Sequence, residues 1–355
     1  MDTDTVKRII VVGAGIVGAS LAYHLARKGV SVTLVEGAGI ASGVTGCSFA
    51  WINTSHSLPD PVAQLRRAAI QEYRRLETEL PDLKVRWTGA LSYGVRPVAG
   101  LPAAEVVLST AQILDLEPNL KHPPQQAMYQ PEEGALDAVA ATHALIAGAQ
   151  AHGAKVITQT AVIGFATRGA QVTGVETANG IIDADRVVLA AGTGIAQLTE
   201  KLNISLPLSA SPAIFIRYTS QPTLVHTLIS SPEMEVRQDA DGALLAAEDY
   251  LDASAENQPA ALALRTARAI RNELDGVNCL EAERACVGLR PMPDDGVPII
   301  GYLPNIGGVY VCAMHPGVTL AAIVGRLASE EIVDDQPSSA LSPCRPERFF
   351  HAPGV

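Results

Sequence analysis

The N-terminal part of the chain carries a glycine-rich turn between two short apolar strands. Residues 8–12 form a β-branched run, and the Gly-x-Gly-x-x-Gly motif of residues 13–18 follows it directly. Apolar residues then recur every four positions through 17–25, the spacing of one helix face, and a second apolar run, 31–35, ends at Glu36. This order is typical of a dinucleotide-binding βαβ unit, and the alternative is a plain βαβ unit whose glycines bind nothing.

The residues of this turn have distinct physical roles. The first glycine allows a tight turn, the second lets the backbone approach a pyrophosphate, and the third lets the helix pack closely on the strand. The free N–H groups at the start of the helix attract phosphates, and the acid accepts hydrogen bonds from ribose hydroxyls. The predicted cofactor contacts of this unit are Gly13, Gly15, Ile16, Val17, Gly18 and Glu36.

The segment that follows, residues 37–48, is rich in glycine, serine and threonine. Such a composition cannot bury enough apolar surface to form a core element, but it can wrap a polar ligand with backbone N–H and hydroxyl donors. We therefore expect Ser42, Thr45 and Gly46 to lie along the cofactor. The alternative is an ordinary surface loop.

The composition favours a packed α/β enzyme. Hydrophobic residues make up 48% of the 355-residue chain, which is long enough to form two or three lobes. The net charge of −11, without any basic stripe, argues against nucleic acid as a partner. The arginine doublets at 66–67 and 74–75 are interpreted as the solvated face of a helix.

The five cysteines, Cys47, Cys279, Cys286, Cys312 and Cys344, are scattered without C-x-x-C spacing. An odd, dispersed set predicts reduced thiols in a cytoplasmic protein, with no disulfide framework and no zinc or other metal site. The N-terminus lacks the cleavable apolar segment of a secretory signal, and no apolar run is long enough to span a bilayer. We therefore expect a soluble protein.

Periodicity and turn residues predict the remaining elements. Helices are expected at 61–80, 103–114, 138–152 (capped by Asp137), 260–274 and 318–333. Strands are expected at 85–93, 155–158, 162–167, 171–177, 181–183, 213–218, 224–229, 234–238, 243–247, 281–289, 297–300 and 309–313, and a buried strand from Arg186 runs into a glycine turn at 192–194. The Pro- and Ser-rich tail after Asp334 is expected to be loose.

Two late stretches decide the class of the protein. The first contains Gly288-Leu289-Arg290-Pro291 and continues as Asp295-Gly296-Val297-Pro298-Ile299-Ile300-Gly301, and the second contains His315-Pro316-Gly317-Val318-Thr319. Together with the N-terminal motif, and in the same order along the chain, they resemble the D-amino-acid oxidase/glycine oxidase/sarcosine oxidase family of FAD-dependent amine oxidoreductases. The resemblance runs nearly end to end, and the Gly-Leu-Arg-Pro stretch with its continuation is its most specific part.

The resemblance implies an α/β (α+β) fold with two domains. A Rossmann-like FAD-binding domain is assembled from the discontinuous segments 1–55, 135–210 and 285–355. A mostly antiparallel β-sheet substrate domain, made of 56–134 and 211–284, is inserted between them. The inserted segments are those that lack glycine-rich cofactor turns.

The resemblance also implies roles for three side chains. In D-amino-acid and glycine oxidases the arginine at the position of Arg290 holds the substrate carboxylate, which matches the two-pronged donor set of a guanidinium; the alternative is a surface ion pair. His315 is expected to touch flavin or substrate, with a simple turn residue as the equal alternative. Tyr250 is a candidate to hydrogen-bond the substrate, although a packed rim tyrosine is the favoured interpretation.

The helix that follows His315 is expected to point its N-terminus at the pyrimidine edge of the flavin, where its dipole stabilises negative charge on the reduced ring. Small residues near 190–192 would let the backbone pass close to the cofactor. The further cofactor contacts are Val162, Ala191, Gly192, Pro316, Gly317, Val318 and Thr319. Some relatives tether flavin through a cysteine near this motif, but neither Cys286 nor Cys312 matches that position, so non-covalent FAD is predicted; a His or Cys tether near residue 47 is the alternative.

The implied chemistry is oxidation of a C–N bond. The substrate α-hydrogen leaves as hydride to flavin N5, and the resulting imine hydrolyses. The expected substrate is a D-amino acid, a glycine-type amino acid or a cyclic imino acid, and the electron acceptor is dioxygen, a quinone or a partner protein. The alternatives are a sarcosine-type N-demethylating enzyme, the flavin-carrying subunit of a multi-subunit dehydrogenase, or a protein that keeps FAD only for structure. A homo- or hetero-oligomer is compatible with each of these.

Overall fold

The computed structural model describes residues 7–54, 59–94 and 106–350. The strands are β1 (Arg8–Val12), β2 (Ser31–Val35), β3 (Trp51–Ile52), β4 (Val85–Arg86), β5 (Ala90–Ser92), β6 (Val106–Ser109), β7 (Gln126–Gln130), β8 (Gly134–Leu136), β9 (Lys155–Ile157), β10 (Val162–Arg168), β11 (Gln171–Thr177), β12 (Gly180–Asp183), β13 (Arg186–Leu189), β14 (Leu208–Ser220), β15 (Leu228–Ser230), β16 (Glu235–Gln238), β17 (Ala243–Asp249), β18 (Ala282–Pro293), β19 (Ile299–Tyr302) and β20 (Val309–Ala313). The helices are α1 (Ile16–Arg27), α2 (Ala63–Glu79), α3 (Thr110–Leu116), α4 (Ala138–Ala151), α5 (Gly194–Glu200), α6 (Pro259–Glu273) and α7 (Gly317–Asp334).

A six-stranded sheet is built around β1. Its order is β19-β20-β13-β1-β2-β9, and every pair is parallel except the edge pair of β19 and β20. The strands are apolar on both faces because both faces are covered. Helices α1, α2, α4 and α7 share a core with one face, and α5 and the β10–β12 sheet pack on the other.

The largest sheet has eight strands in the order β18-β14-β17-β16-β15-β5-β7-β6. Its neighbours are antiparallel except for the parallel pair of β15 and β5. Helix α6 shares a core with one face, and a smaller apolar cluster on the other face includes Phe49 and Phe215. A third sheet, β3-β8-β4, connects this region to the first.

The predicted α/β fold, with a Rossmann-like parallel sheet and a mostly antiparallel second sheet, is confirmed. The domain boundaries stay a prediction. The one expected at 284/285 falls inside β18, which belongs to the eight-stranded sheet along its whole length. Within the described ranges, no helix combines the length and the apolar character that crossing a membrane requires.

The helix expected at 103–114 is wrong in its first part. Residues 103–105 lie outside the described residues, and the next four form β6, which pairs with β7. The helix begins only at Thr110, because Ser109 and Gln112 form a capping box that sets its start. The helix expected at 138–152 is confirmed, and Asp137 accepts hydrogen bonds from the N–H groups of its first turn.

The tail after Asp334 is not loose up to residue 350. It forms 3₁₀ turns at Ser339–Cys344 and Pro346–Phe349, and Leu341 and Cys344 are fully buried. Arg345 donates from both terminal nitrogens to the carboxylate of Glu331, which lies on α7 and is 4% exposed at its side chain. This ion pair attaches the tail to the last helix.

The prediction of five reduced thiols is also wrong. Cys47 and Cys286 form a disulfide with a Cα–Cα distance of 6.0 Å, and Cys279, Cys312 and Cys344 are free. The two bonded residues are 239 positions apart, so nothing in their spacing indicated a pair. The eight-stranded sheet places them together.

Candidate active site

The glycine turn lies at the carboxyl ends of β1, β2 and β13. The Gly13 N–H donates to the carbonyl oxygen of Val35, and a Cβ added at Gly13 would lie 2.6 Å from the carbonyl oxygen of Ala190. A Cβ at Gly18 would overlap the carbonyl oxygen of Gly13. Only glycine fits these two positions, because three backbone segments cross here in contact.

Glu36 ends β2 beside this turn. Its carboxylate accepts a hydrogen bond from the N–H of Ala14 at 2.7 Å and another from the N–H of Ala38 at 2.8 Å. The side chain is only partly buried. Two backbone donors therefore fix the carboxylate beside the glycine turn, and its contact with a ribose stays a prediction.

The segment after Glu36 folds back over the turn. The N–H of Ala41 donates to the carbonyl oxygen of Ala14, and the N–H of Ile16 donates to the hydroxyl of Thr45 at 3.1 Å. The predicted phosphate donor Ile16 is thus already paired with a predicted cofactor residue. Ser42 is exposed at the outer side of this segment, and Gly46 packs against the carbonyl oxygen of Ala41.

The backbone leaves a cradle that side chains do not fill. A Cβ at Gly15 would contact only the Thr45 hydroxyl, at 3.1 Å, and one at Gly317 would contact only Val17, at 3.8 Å. Gly192 has a φ of +57°, and a Cβ there would meet nothing within 4 Å. Open positions of this kind therefore occur at the glycine turn, at the 191–192 turn and at the start of α7, and the residues present there fit an extended dinucleotide.

Val162 begins β10 and is partly buried against the core beneath the 191–192 turn. Thr160, two residues earlier, donates its N–H to the carbonyl oxygen of Glu36. Ala191 belongs to the same core and lies 2.9 Å from a Cβ placed at Gly13. The structure therefore brings these predicted contacts to the same strand ends as the glycine turn.

The start of α7 forms the far end of the cradle. The N–H groups of its first turn, from Gly317 to Thr319, have no carbonyl partner within the helix, as at every helix start. The buried Thr319 hydroxyl donates to the carbonyl oxygen of Trp51 at 3.0 Å and contacts Asn53 Oδ1 at 3.1 Å. The Thr319 side chain is thus occupied in holding β3, while its backbone remains part of the helix start that follows Pro316.

Arg290 lies on β18, directly opposite Ser211 of β14. Its Nη2 donates to the Ser211 hydroxyl at 3.0 Å and to the carbonyl oxygen of Pro212 at 3.4 Å, and Nε donates to the carbonyl oxygen of Ser211 at 3.4 Å. Nη1 has no hydrogen-bond partner among the residues that the structure describes. The guanidinium is therefore fixed on one side and free on the other.

His315 precedes α7 and is partly buried. Its pKa is lowered to about 4, mainly by burial and in the same direction by the positive charges of Arg290 and Arg66. The ring is neutral at physiological pH for this reason. The structure thus places the two predicted residues Arg290 and His315 close enough for the charge of Arg290 to lower the pKa of His315.

Arg66 also lies close enough to His315 to lower its pKa, and the sequence did not indicate this position. It was expected on a solvated helix face, but its side chain is only 17% exposed, and it donates to Asp60 at 2.9 Å and to Asn53 Oδ1 at 2.7 Å. Asn53 also contacts Thr319. The one available signal was the acid six positions earlier in the chain.

Tyr250 is not brought together with Arg290. It follows β17 and packs against the core beneath α6, whereas Arg290 lies on the strand face of Cys286 and Phe215. The role of Tyr250 stays a prediction.

Comparison with known families decides the class. A family model described as DAO, FAD dependent oxidoreductase, matches residues 8–331, from the first strand to the last helix.

The chain belongs to this family of FAD-dependent oxidoreductases.

Several relatives of this oxidoreductase have been named. Glycine oxidase of Pseudomonas putida is 25% identical to it over 96% of this chain and 98% of the relative, and D-amino acid dehydrogenase 2 of Pseudomonas aeruginosa is 28% identical over 94% and 96%. The solved structure of L-amino acid deaminase from Proteus myxofaciens in complex with anthranilate superimposes with a TM-score of 0.86 at 18% identity, covering 97% of this chain and 94% of that one. The last similarity concerns the fold alone.

These similarities confirm the predicted family, FAD as its cofactor, and an enzyme that oxidises C–N bonds. The relatives together act on more than one kind of amino acid, as their names state. The substrate of the oxidoreductase described here, and the roles of its individual residues, are matters of proposal.

Proposed function

We propose that this FAD-dependent oxidoreductase oxidises the C–N bond of an amino acid whose carboxylate is held by Arg290. The observation that carries this proposal is the state of the guanidinium. Nε and Nη2 are bonded to Ser211 and Pro212, and Nη1 is left without a partner among the described residues. A carboxylate is the ligand whose negative charge and acceptor oxygens match the open N–H groups of Nη1.

A fixed guanidinium binds a carboxylate better than a mobile one, because less side-chain entropy is lost when the ligand arrives. Strand β14 provides that fixation through three hydrogen bonds. The amino acid would be oriented by its carboxylate at one end, which leaves the carbon that carries nitrogen at a defined distance from Arg290.

His315 would complete the polar side of the site as a neutral group. With a pKa of about 4, it adds no third positive charge beside Arg290 and Arg66 at neutral pH. A neutral imidazole accepts a hydrogen bond at one nitrogen and donates at the other. It can therefore contact a neutral amine, the form from which a C–N bond is oxidised.

The apolar side of the site would come from the cluster around Phe49 and Phe215. Ala247 and Cys286 pack against this cluster, and Phe215 is paired with Cys286 across the strands, on the same sheet face as Arg290. Apolar walls keep water from the reacting atoms and strengthen the pairing of the guanidinium with its ligand. Specificity for the substrate side chain would be set here.

The cofactor would be held by the cradle. Gly15, Thr45 and Glu36 would contact its dinucleotide part, and the N-terminus of α7 would lie beside its ring system. Bound FAD supplies the two-electron acceptor that the substrate's hydride requires. Attachment would be non-covalent, since Cys47 and Cys286 are bonded to each other.

The favoured substrates are a D-amino acid, a glycine-type amino acid and a cyclic imino acid. A sarcosine-type N-demethylating reaction is the second candidate, since a relative from Paenarthrobacter nicotinovorans, 29% identical over 66% of this chain, is named a formaldehyde-forming 4-methylaminobutanoate oxidase. Dioxygen, a quinone or a partner protein would reoxidise the flavin.

The test is product analysis with a panel of D-amino acids, cyclic imino acids and N-methyl amino acids. Ammonia or a cyclic imine from the first two classes supports the proposed function. Formaldehyde from the N-methyl compounds alone supports the second candidate. No product from any amino acid, with flavin bound, contradicts both.

A further inference from the structure

The Cys47–Cys286 disulfide joins two segments that the proposed function uses. Cys47 ends the short 3₁₀ turn Val44–Cys47, which contains the predicted cofactor residue Thr45, and Cys286 lies on β18, the strand of Arg290. The two bonded residues are 239 positions apart in the sequence. The bond therefore sets the distance between the Val44–Cys47 turn, called the cofactor segment below, and strand β18, which carries Arg290.

The packing around the bond is close on one side. A Cβ at Gly288, midway between Cys286 and Arg290, would lie 2.9 Å from the Cys47 carbonyl oxygen and 3.1 Å from Val44. Residues two and four apart on a strand share a face, so Cys286, Gly288 and Arg290 all face the cofactor segment. If the Val44–Cys47 turn moved away from β18, the movement would be transmitted along the strand from Cys286 through Gly288 to Arg290.

The chemistry around the bond is that of a reactive cysteine pair. Both cysteines are partly exposed, and the guanidinium nitrogen Nη2 of the exposed Arg284 lies 3.6 Å from Cys47 Sγ. A cation beside a sulfur stabilises the thiolate and makes it a better leaving group. By contrast, Cys312 and Cys344 are buried, and burial raises the pKa of Cys344 to about 11.

We infer that Cys47 and Cys286 form a reducible pair whose oxidised state positions Arg290 for carboxylate binding, an inference that rests on the proposed function. The co-reactant is a dithiol. One of its thiolates bonds to Cys286 Sγ, the S–S bond breaks, and the electron pair leaves on Cys47 beside Arg284, where a proton follows. The second thiolate of the dithiol then attacks its own mixed-disulfide sulfur and releases Cys286, so that two electrons and two protons pass to the protein and the dithiol becomes a disulfide.

Reduction would free the Val44–Cys47 turn from β18. The arginine would keep its hydrogen bonds to β14, but its position relative to the cofactor segment would no longer be fixed. Weaker preorganisation raises the dissociation constant of a carboxylate without removing the binding group. We expect the dissociation constant of anthranilate to rise about tenfold. A rise of this size corresponds to the loss of an interaction that positions Arg290, whereas loss of the guanidinium itself would have a larger effect.

The first measurement counts thiols in the native protein. Folded protein is treated with dithiothreitol, desalted and alkylated with iodoacetamide, and its intact mass is compared with that of unreduced protein. Two additional adducts at Cys47 and Cys286 support the inference. A pair that is reduced only in denaturant overturns it.

The second measurement titrates FAD-loaded protein with anthranilate and follows the flavin absorbance. Reduced wild type and the C47S/C286S variant should share the raised dissociation constant, the variant should not respond to dithiothreitol, and reoxidised wild type should recover. The matched control is C279S, which changes an exposed free cysteine and should respond as wild type does. If the double variant does not fold, the reduced and reoxidised wild type carry the same comparison.

The outcomes separate this inference from the function on which it rests. If reduction lowers the midpoint of thermal unfolding but leaves the dissociation constant of anthranilate unchanged, the bond is structural only; the inference is then overturned, while the proposed function stands. If oxidised protein takes up no FAD, the proposed function fails, and the inference fails with it.

Discussion

At the residue scale, the proposed site consists of side chains whose position and charge state are set by neighbours from distant parts of the chain. Arg290 was expected to bind a carboxylate, and its role remains a proposal, but the strand that holds it could not be predicted. Its partner Ser211 lies 79 positions away and became visible only with the register of β14 and β18. The same holds for the disulfide and for Arg66, because no local pattern encodes a pairing between segments that only the tertiary fold brings together.

The substitution R290A should lower kcat/KM for the amino-acid substrate about 10²- to 10⁴-fold, since two charge-assisted hydrogen bonds of ~1.5–3 kcal/mol each are lost. R290K should recover only part of the loss, because an ammonium keeps the charge but not the fork. Steady-state kinetics measures both. The exposed Arg268 on α6 gives the control R268A, and an R290A enzyme as active as that control would refute the assigned role.

The partly buried His315 should make the protein sensitive to acid. Its pKa is about 4 in the folded protein and 6.5 as the ordinary value, so the unfolded chain binds more protons between these values. Its contribution is fully present above pH 6.5 and is lost as the pH falls towards 4. The loss between pH 7 and pH 5 should be about 2 kcal/mol of unfolding free energy.

Urea unfolding at pH 7 and pH 5 measures this loss. The variant H315N should lose about 2 kcal/mol less than wild type over that interval, because it has no imidazole to protonate. The variant H143N, which changes an exposed histidine of α4, should keep the wild-type dependence. Equal pH dependence in wild type and H315N would show that this histidine is not held neutral by the fold.

At the element scale, periodicity was sufficient wherever a helix or strand has one buried face or a continuous apolar run. The βαβ unit, α4, α6 and α7 begin and end close to their expected residues. The prediction from periodicity was wrong at β6, because these residues pair with β7 although their pattern is helical. The helix begins only after the capping box at Ser109. The prediction was also wrong at the tail, whose composition is typical of a loop but whose Leu341 and Cys344 are buried by contacts that no local pattern contains.

The glycine turn offers a test that separates the fold from the cofactor. A Cβ at Gly15 would contact only the Thr45 hydroxyl, whereas one at Gly18 would overlap backbone. G15A should therefore unfold near the wild-type temperature but bind FAD about 10- to 100-fold more weakly, because a methyl group in the cradle costs roughly 1–3 kcal/mol. G18A should lower the unfolding temperature as well.

Thermal unfolding without FAD and equilibrium dialysis with FAD measure the two properties. Unchanged FAD affinity in a folded G15A protein would mean that the cradle is not where the pyrophosphate lies. A G18A protein as stable as wild type would mean that α1 does not pack on the glycine turn as described.

At the scale of the whole molecule, the tail packs on the same core as α7 and is attached to that helix by an ion pair. The tail bond between Arg345 and Glu331 is the contact that can be tested alone. Glu331 is 4% exposed at its side chain, and Arg345 lowers the pKa of this carboxyl although burial raises it. The charge is tolerated inside the protein because the guanidinium compensates it.

Removal of that partner should cost about 3–5 kcal/mol of unfolding free energy, because an uncompensated charge is left buried. R345M is the test and R8M the control, since the pair of Arg8 and Asp185 is exposed to solvent and should contribute much less. Chemical denaturation at pH 7 measures both. Equal losses in the two variants would mean that the tail does not stabilise α7.

The central claim is that this chain holds FAD in its cradle and an amino-acid carboxylate on Arg290. Anaerobic titration of FAD-loaded protein with the amino-acid panel, followed by the absorbance of the oxidised flavin, tests it most directly. At least one amino acid should bleach the flavin of the wild-type protein. The same amino acid, at the same concentration, should leave the R290A protein yellow. A protein that takes up no FAD, or a flavin that bleaches equally well in wild type and R290A, would contradict it.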